Sequence, residues 1–350
     1  LILKTEMFKA GVTWLSKVKA NRVFQGLVLI YREGNNLIGE IPGSSSCYKV
    51  VLADNMIEDI EFGIIVDKLL GAIQGHAEDT FELDLRANCV YIKSNTEATL
   101  AIYGAKGDLN KIPSWSNQDQ LGTASLDINS LSGLLTEYLK GVLADDEMFK
   151  EVYIKDVILS FDRKCLRVAK HGLDIPYPIF LDSTNFKIIQ ELAKLDGGRL
   201  DVYLFAKQYE FSNNSGSVML FRQSQKESVF DKDIRTLLQD CPHETQFSFN
   251  KEEMKNMAKD FKYFLKNSFD CAVLDLVGNQ VLIETEDDQV KTPMIMDASK
   301  GMSPKKINLI NFIKVLEYCE DDVTVYTGLE PRDYLHLENG VENIIFTPVG

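Results

Sequence analysis

The chain has 350 residues, more than one small core uses, so two or three domains are expected. Its formal net charge is -14, which repels nucleic acid in bulk and leaves only locally segregated lysines to meet a polyanion. The composition is 45% apolar and 26% charged, as in ordinary globular proteins, and neither a secretory leader nor an apolar run near ~18 residues is present, so secretion and membrane spanning are not expected. Six cysteines (Cys47, Cys89, Cys165, Cys241, Cys271, Cys319) form no CxxC pair and read as free thiols of a reducing, cytoplasmic compartment.

In chain order, Thr5 to Ala20 reads as a helix, with Phe8, Val12, Leu15 and Val18 on one face. Strand patterns follow at Phe24–Tyr31, Leu37–Ile41, Tyr48–Ala53 and Phe62–Val66, then a helix at Asp67–Gln74, then strands at Thr80–Leu85, Val90–Lys93 and Thr99–Tyr103. The order then recurs. Leu126 to Leu143 is helical, capped by Asp127 or Asn129, and strands are expected at Glu151–Phe161, Cys165–Ala169 and Ile179–Leu181. Ser183 caps a helix over Asn185–Leu195, and Arg199–Ala206, Gln208–Ser212 and Ser217–Arg222 are strands.

The third round opens on Asn250 to Asn267. At about 100° per residue, Lys251, Lys255, Lys259, Lys262 and Lys266 fall within an arc of roughly 80°, while Met254, Met257, Ala258, Phe261, Phe264 and Leu265 fill a separate arc of roughly 120°. Asn250 supplies an N-cap, and Glu252 and Glu253 suit the first turn. One face is built for burial and an adjacent one presents ammonium groups, either as a solvated face or as a surface for a polyanion. Strands at Asp270–Val277, Gln280–Thr285, Val290–Asp297 and Lys306–Leu309, a helix at Asn311–Tyr318, and strands at Asp322–Thr327, Asp333–Leu337 and Asn343–Thr347 complete the chain.

This is an internal repeat of about 115 residues, visible in element order and not in identity. FGIIVDKLLGAIQGH, PIFLDSTNFKIIQEL and KINLINFIKVLEYC are each followed by an alternating strand, TFELDL, RLDVYLF and DVTVYTG. The expected class is α+β, with helices on one face of antiparallel sheet and boundaries giving domains 1–118, 119–243 and 244–350.

Catalytic signatures are missing. His76, His171, His243 and His336 are far apart in sequence, and no GxGxxG, P-loop or HExxH occurs. No catalytic residue, cofactor or metal set is assigned, and a non-enzyme is expected.

Three tandem α+β units with cationic helix faces and an acidic bulk resemble the bacterial-type DNA sliding clamp, the polymerase III beta-subunit-like processivity factor. The stretch from Ser125 to Ile175 is similar to the family's second-domain helix, strand pair and following segment; Lys170-His171-Gly172-Leu173 stands where the family usually has Asp-Gly-His-Arg-Leu, without its arginine. The C-terminal IIFTPVG is similar to the family's final strand. These departures suggest a phage-encoded or otherwise remote member.

The resemblance implies a homodimeric ring around double-stranded DNA, held without sequence preference, helices inside and sheets outside, that tethers a replicative DNA polymerase. The implied DNA-facing residues are Lys9, Lys17, Arg22, Lys140, Lys187, Lys194, Lys251, Lys255, Lys259, Lys262, Lys266 and Lys314. A pocket for short linear motifs of the polymerase and clamp loader is implied at His171, Leu173, Ile345, Phe346, Pro348 and Val349. A ring interface is implied at Leu100, Ile102, Phe264 and Leu265. Two other readings stay open. One is a metal-dependent nuclease or hydrolase using Glu284, Glu286, Asp287 and Asp288; the other is a viral structural protein using the cationic amphipathic helix.

Overall fold

The computed structural model describes residues 1–18, 26–43, 46–94, 97–103, 120–139, 151–161, 165–171, 175–221, 236, 240–261, 272–277, 280–285, 291–295, 297–298, 303–339 and 342–346. The first run of elements is β1 (Ile2–Lys4), α1 (Thr5–Lys17), β2 (Leu27–Glu33), β3 (Asn36–Pro42), β4 (Ser46–Ala53), β5 (Glu61–Ile65), α2 (Val66–Gln74), β6 (Thr80–Arg86), β7 (Cys89–Lys93) and β8 (Glu97–Ala101). The second is β9 (Gln120–Asp127), α3 (Ile128–Leu139), β10 (Glu151–Ile154), β11 (Val157–Phe161), β12 (Cys165–Lys170), β13 (Ile179–Asp182), α4 (Ser183–Lys194), β14 (Arg199–Phe205), β15 (Gln208–Asn213) and β16 (Gly216–Phe221). The third is β17 (Thr245–Asn250), α5 (Lys251–Phe261), β18 (Ala272–Val277), β19 (Gln280–Thr285), β20 (Lys291–Ile295), β21 (Asp297–Ala298), β22 (Lys305–Ile307), α6 (Leu309–Leu316), β23 (Asp322–Thr327), β24 (Leu335–Asn339) and β25 (Glu342–Phe346).

Apart from the two-residue β21, the three runs have one order: strand, helix, three strands, strand, helix, three strands. The strand before each first helix is absent from the sequence reading. β1 is too short to show a period, and in all three runs the strand passes into the helix with no intervening breaker. The expected single strand over Glu151–Phe161 is two strands, because Lys155 and Asp156 turn the chain between β10 and β11.

Strand pairing repeats as well. The four-strand orders β1-β6-β7-β8, β9-β14-β15-β16 and β17-β23-β24-β25 are equivalent, and so are β5-β2-β3-β4, β13-β10-β11-β12 and β22-β18-β19-β20. Two of these half-sheets are fused where β4 pairs with β16, giving eight strands, and two more where β12 pairs with β25, giving nine with β21. In both cases the last strand of one run's second set pairs with the final strand of the next run. Among the described residues, β8 and β20 end their four-stranded sheets.

The chain forms two compact units that do not follow the repeat. The first is Leu1–Ser132 with Thr184–Gln223, and the second is Gly133–Ser183 with Ser224–Gly350. In the first, α1 buries Phe8, Val12, Trp14 and Leu15, with Phe8 edge-on to Phe81 at 5.0 Å. Each such side chain contributes about 1.5–3 kcal/mol by leaving water. Gly39 on β3 permits this approach, since a Cβ there would stand 2.7 Å from Leu15 Cδ1. In the second unit, Met254 and Met257 of α5 and Phe312, Val315 and Leu316 of α6 share a core with Phe247, Val325, Leu337 and Phe346. The opposite face of the nine-stranded sheet carries its own cluster of Tyr153, Leu159, Leu166, Val168, Phe180 and Ile345. No described helix is long and apolar enough to cross a membrane.

Candidate functional site

The lysine-striped helix is α5. Its start follows the sequence: Asn250 Oδ1 accepts from the backbone N–H of Glu252 at 3.0 Å and of Glu253 at 3.4 Å. Its lysines are not all presented to solvent. Lys251 Nζ donates to the Cys319 carbonyl at 2.7 Å and lies 3.5 Å from Asp321, with only 15% of the side chain exposed. Lys255 is equally covered and bonds Glu317 at 2.8 Å and Glu252 at 3.2 Å. The hydrogen bond to Glu317 holds the Lys255 ammonium above the usual lysine range against its desolvation. The end of α6 and the turn beyond it supply a carbonyl and carboxylates to this face, which the periodicity of α5 alone does not show. Lys259 is exposed and donates to Asn256 Oδ1 at 2.9 Å. Lys262 and Lys266 lie outside the described residues.

Lys255 is the fifth residue of its helix, and the fifth residue of each repeat's first helix contacts that repeat's second helix. Lys9 of α1 donates to the Gln74 carbonyl at the end of α2, at 2.9 Å. Ser132 of α3 accepts from Gln190, a full turn before the end of α4. Lys9 and Lys255 therefore join the two helices of their own repeat.

The more exposed cations border two grooves, one in each unit. In the first unit, α1 meets α4 through Trp14, whose Nε1 donates to the Ile188 carbonyl at 3.3 Å. Lys17, Lys187, Gln190 and Glu191 line the groove beside it. Glu191 accepts from Lys17 at 2.7 Å and from Lys194 at 2.6 Å, and these bonds hold its carboxyl below the usual range. Lys187 and Lys194 are exposed. In the second unit, Lys259 and the exposed Lys314 border a groove floored by Ala258, Ile310 and Ile313. Arg22 and Lys140 lie outside the described residues.

The described residues of the implied peptide pocket do not all share one face. Ile345 and Phe346 are successive residues of β25 and point to opposite faces of the sheet. Ile345 belongs to the cluster with Tyr153 and Phe180, whereas Phe346 packs edge-on to Phe312 at 5.4 Å under α6. Both are fully buried, so one pocket cannot be lined by the pair. His171 is half-buried, and desolvation lowers its imidazole below the ordinary range. Leu173, Pro348 and Val349 lie outside the described residues.

Of the implied joint residues, Leu100 is half-buried on β8 and Ile102 follows that strand. Phe264 and Leu265 lie outside the described residues. Among the described residues β20 is an open edge, a property of strand pairing that no single strand's pattern reveals. Of the acidic hairpin, Glu284 is on β19 opposite Lys291, and Glu286, Asp287 and Asp288 lie outside the described residues.

One further residue shapes the second unit. Arg167 on β12 is fully buried, with its guanidinium 4.2 Å from the ring of Tyr138 on α3 and 3.8 Å from that of Tyr318 beyond α6. Glu137 lies 3.5 Å from Nη2. A delocalised, weakly hydrated cation between two aromatic faces suits such a position.

No protein-family profile matches this sequence, and no curated protein matches it. Solved structures do. The chain is similar to a DNA polymerase III subunit beta from Pseudomonas aeruginosa at 11% identity with a TM-score of 0.74. It is similar to Caulobacter crescentus pol III beta at 9% and 0.74, and to the Thermotoga maritima DNA polymerase III beta subunit at 13% and 0.70. Each match covers 100% of this chain and 99% of the other. With its repeated strand order and fused half-sheets, the chain has the α+β fold of the DNA polymerase III beta sliding clamps over its whole length.

Proposed function

We propose that the protein is a DNA sliding clamp, a non-catalytic processivity factor with three clamp domains at 1–118, 119–243 and 244–350. The observation that carries this reading is the pair of open edges. Joints of one kind fuse β4 to β16 and β12 to β25, and the strands equivalent to β4 and β16 that remain are β20 and β8. Pairing β20 of one copy with β8 of a second, and the reverse, repeats the internal joint and closes a two-fold ring of six domains. The full-length likeness to clamp structures supports the same assembly.

In such a ring, Lys17, Lys187, Lys194, Lys259 and Lys314 are, of the implied DNA-facing set, the exposed described cations available to phosphates. They would neutralise the backbone without reading bases, and the acidic bulk would keep DNA off other surfaces. Lys9, Lys251 and Lys255 would act instead in pairing helices. Polymerase and loader would dock by short motifs on the outer sheet face near Ile345. The test combines solution mass with retention on DNA. A dimer that stays on closed circles and runs off linear ends is expected; a monomer, or equal loss from both substrates, overturns the reading.

A further inference from the structure

Outside the helix faces and sheet edges, one group of side chains stands out. Cys241 and His243 lie in the segment that enters β17, and His336 lies on β24, two strands away across β23. The three ligand atoms are all within 4.8 Å of one another. His243 Nε2 and His336 Nδ1 are 2.7 Å apart. The His243 ring is stacked on Tyr326 of β23, with centroids 4.7 Å apart and planes at 18°. The Cys-x-His spacing and the ladder, in which Tyr326 faces His336, bring together residues that are 93 positions apart.

We propose that Cys241, His243 and His336 form a binding site for one divalent ion of the zinc class, with water in the fourth position.

The donor set is one soft sulfur and two imidazole nitrogens, which selects borderline ions over magnesium or calcium. In a tetrahedral zinc site, bond lengths of ~2.0–2.3 Å put ligand atoms about 3.3–3.6 Å apart. The imidazole nitrogens would part by roughly half an ångström, and the sulfur would move in by up to about 1.2 Å. Both are side-chain adjustments. The surroundings are two-sided: Cys241 packs against the apolar cluster of Tyr153, Phe180 and Ile345, whereas His243 faces solvent, giving an ion access from one side. Tyr326 beneath His243 limits how that ring can turn.

The proton balance is defined. Without metal, a cysteine side chain such as that of Cys241 is a protonated thiol at neutral pH. Binding breaks the S–H bond, forms the metal–sulfur bond and releases one proton to water. The proton shared by the two imidazoles moves to the outward nitrogen of the ring that carries it, leaving both inner lone pairs on the metal. Affinity therefore rises with pH. The bound ion would pin the segment entering β17 to β24.

The test uses the full chain stripped with chelator and titrated with zinc(II) against a chromogenic competitor, then with cobalt(II). One equivalent per chain, a rise in melting temperature of several degrees and a thiolate-to-cobalt charge-transfer band are expected. In Cys241→Ser the band should vanish, and in Cys241→Ser/His336→Gln zinc affinity should fall at least ~100-fold. Metal-free melting temperature shows whether each variant is folded. If the double variant is not, the wild-type cobalt band and its loss on acidification carry the test. No binding by the wild type, or binding without the cobalt band, overturns the proposal.

Discussion

Lys255 Nζ lies 2.8 Å from Glu317 Oε2, and this pair stands in the third repeat where Lys9 and the Gln74 carbonyl stand in the first. In the first and third repeats the residue at this helical position meets the end of the second helix, with a carbonyl in one and a carboxylate in the other. Lys255→Gln should lower the stability of the second unit by less than about 1 kcal/mol, because Glu317 is exposed and water screens the pair. Its folded titration is raised, so its contribution is complete below the ordinary lysine range and is lost as pH rises through the elevated value. Urea melts at neutral and strongly alkaline pH measure both effects.

Glu191 restrains two cations that the clamp reading assigns to DNA. Glu191→Gln should release Lys17 and Lys194 and lengthen retention on circular DNA. Lys187→Glu with Lys194→Glu should shorten it and reduce the slope of log affinity against log salt by about 2. The depressed carboxyl contributes stability above its unfolded value, lost as pH falls through the folded one, so Glu191→Gln should narrow the gap between neutral and acidic melts. Unchanged retention in both variants would remove this groove from the DNA-binding surface.

Leu100→Asp should convert a dimer into a folded monomer. Leu100 is on the open edge of a four-stranded sheet, so the substitution leaves the chain's own ladders intact while placing a charge in the proposed joint. Light scattering after size exclusion reads the mass, and far-ultraviolet dichroism checks the fold. An unchanged dimer would place the joint elsewhere.

Arg167→Ala should destabilise the second unit by about 3 kcal/mol, from the cavity between Tyr138 and Tyr318 and the loss of two cation–aromatic contacts. Arg167→Met fills most of that space and should cost less. Thermal denaturation of the two variants orders them.

Gly216→Ala should also destabilise, by about 1–3 kcal/mol, in the first unit. A Cβ at Gly216 would lie 2.3 Å from the Lys49 carbonyl oxygen and 2.9 Å from Val50 Cα, where β16 joins β4. Chemical denaturation of the variant gives the size.

Much of the fold was legible because both periods are strong. The spacing of Phe8, Val12 and Leu15 gave α1, and Asn250 gave the start of α5. The three strands before the first helices were not legible in their short or unbroken stretches, although Phe247 and Phe249 of β17 do alternate. The candidate site was less legible. Lys251, Lys255 and Lys259 look alike on a helical wheel, and only the end of α6 separates the first two from the third. The resemblance places Ile345 and Phe346 in one pocket, but as neighbours in a strand they face opposite sides of the sheet. Cys241 and His336 are joined only by strand order, so each reads as solitary in sequence.

The fusion of β4 to β16 and of β12 to β25 means that the repeat visible in element order is not the unit of packing. Excising the second repeat would cut two continuous ladders and expose unpaired N–H and C=O groups along both β12 and β16. Residues on either side of a repeat boundary are therefore bound into the same cooperative body. Grafting one repeat from another such protein would have to match strand register on two edges at once, so its sequence is constrained by its neighbours as tightly as by its own core.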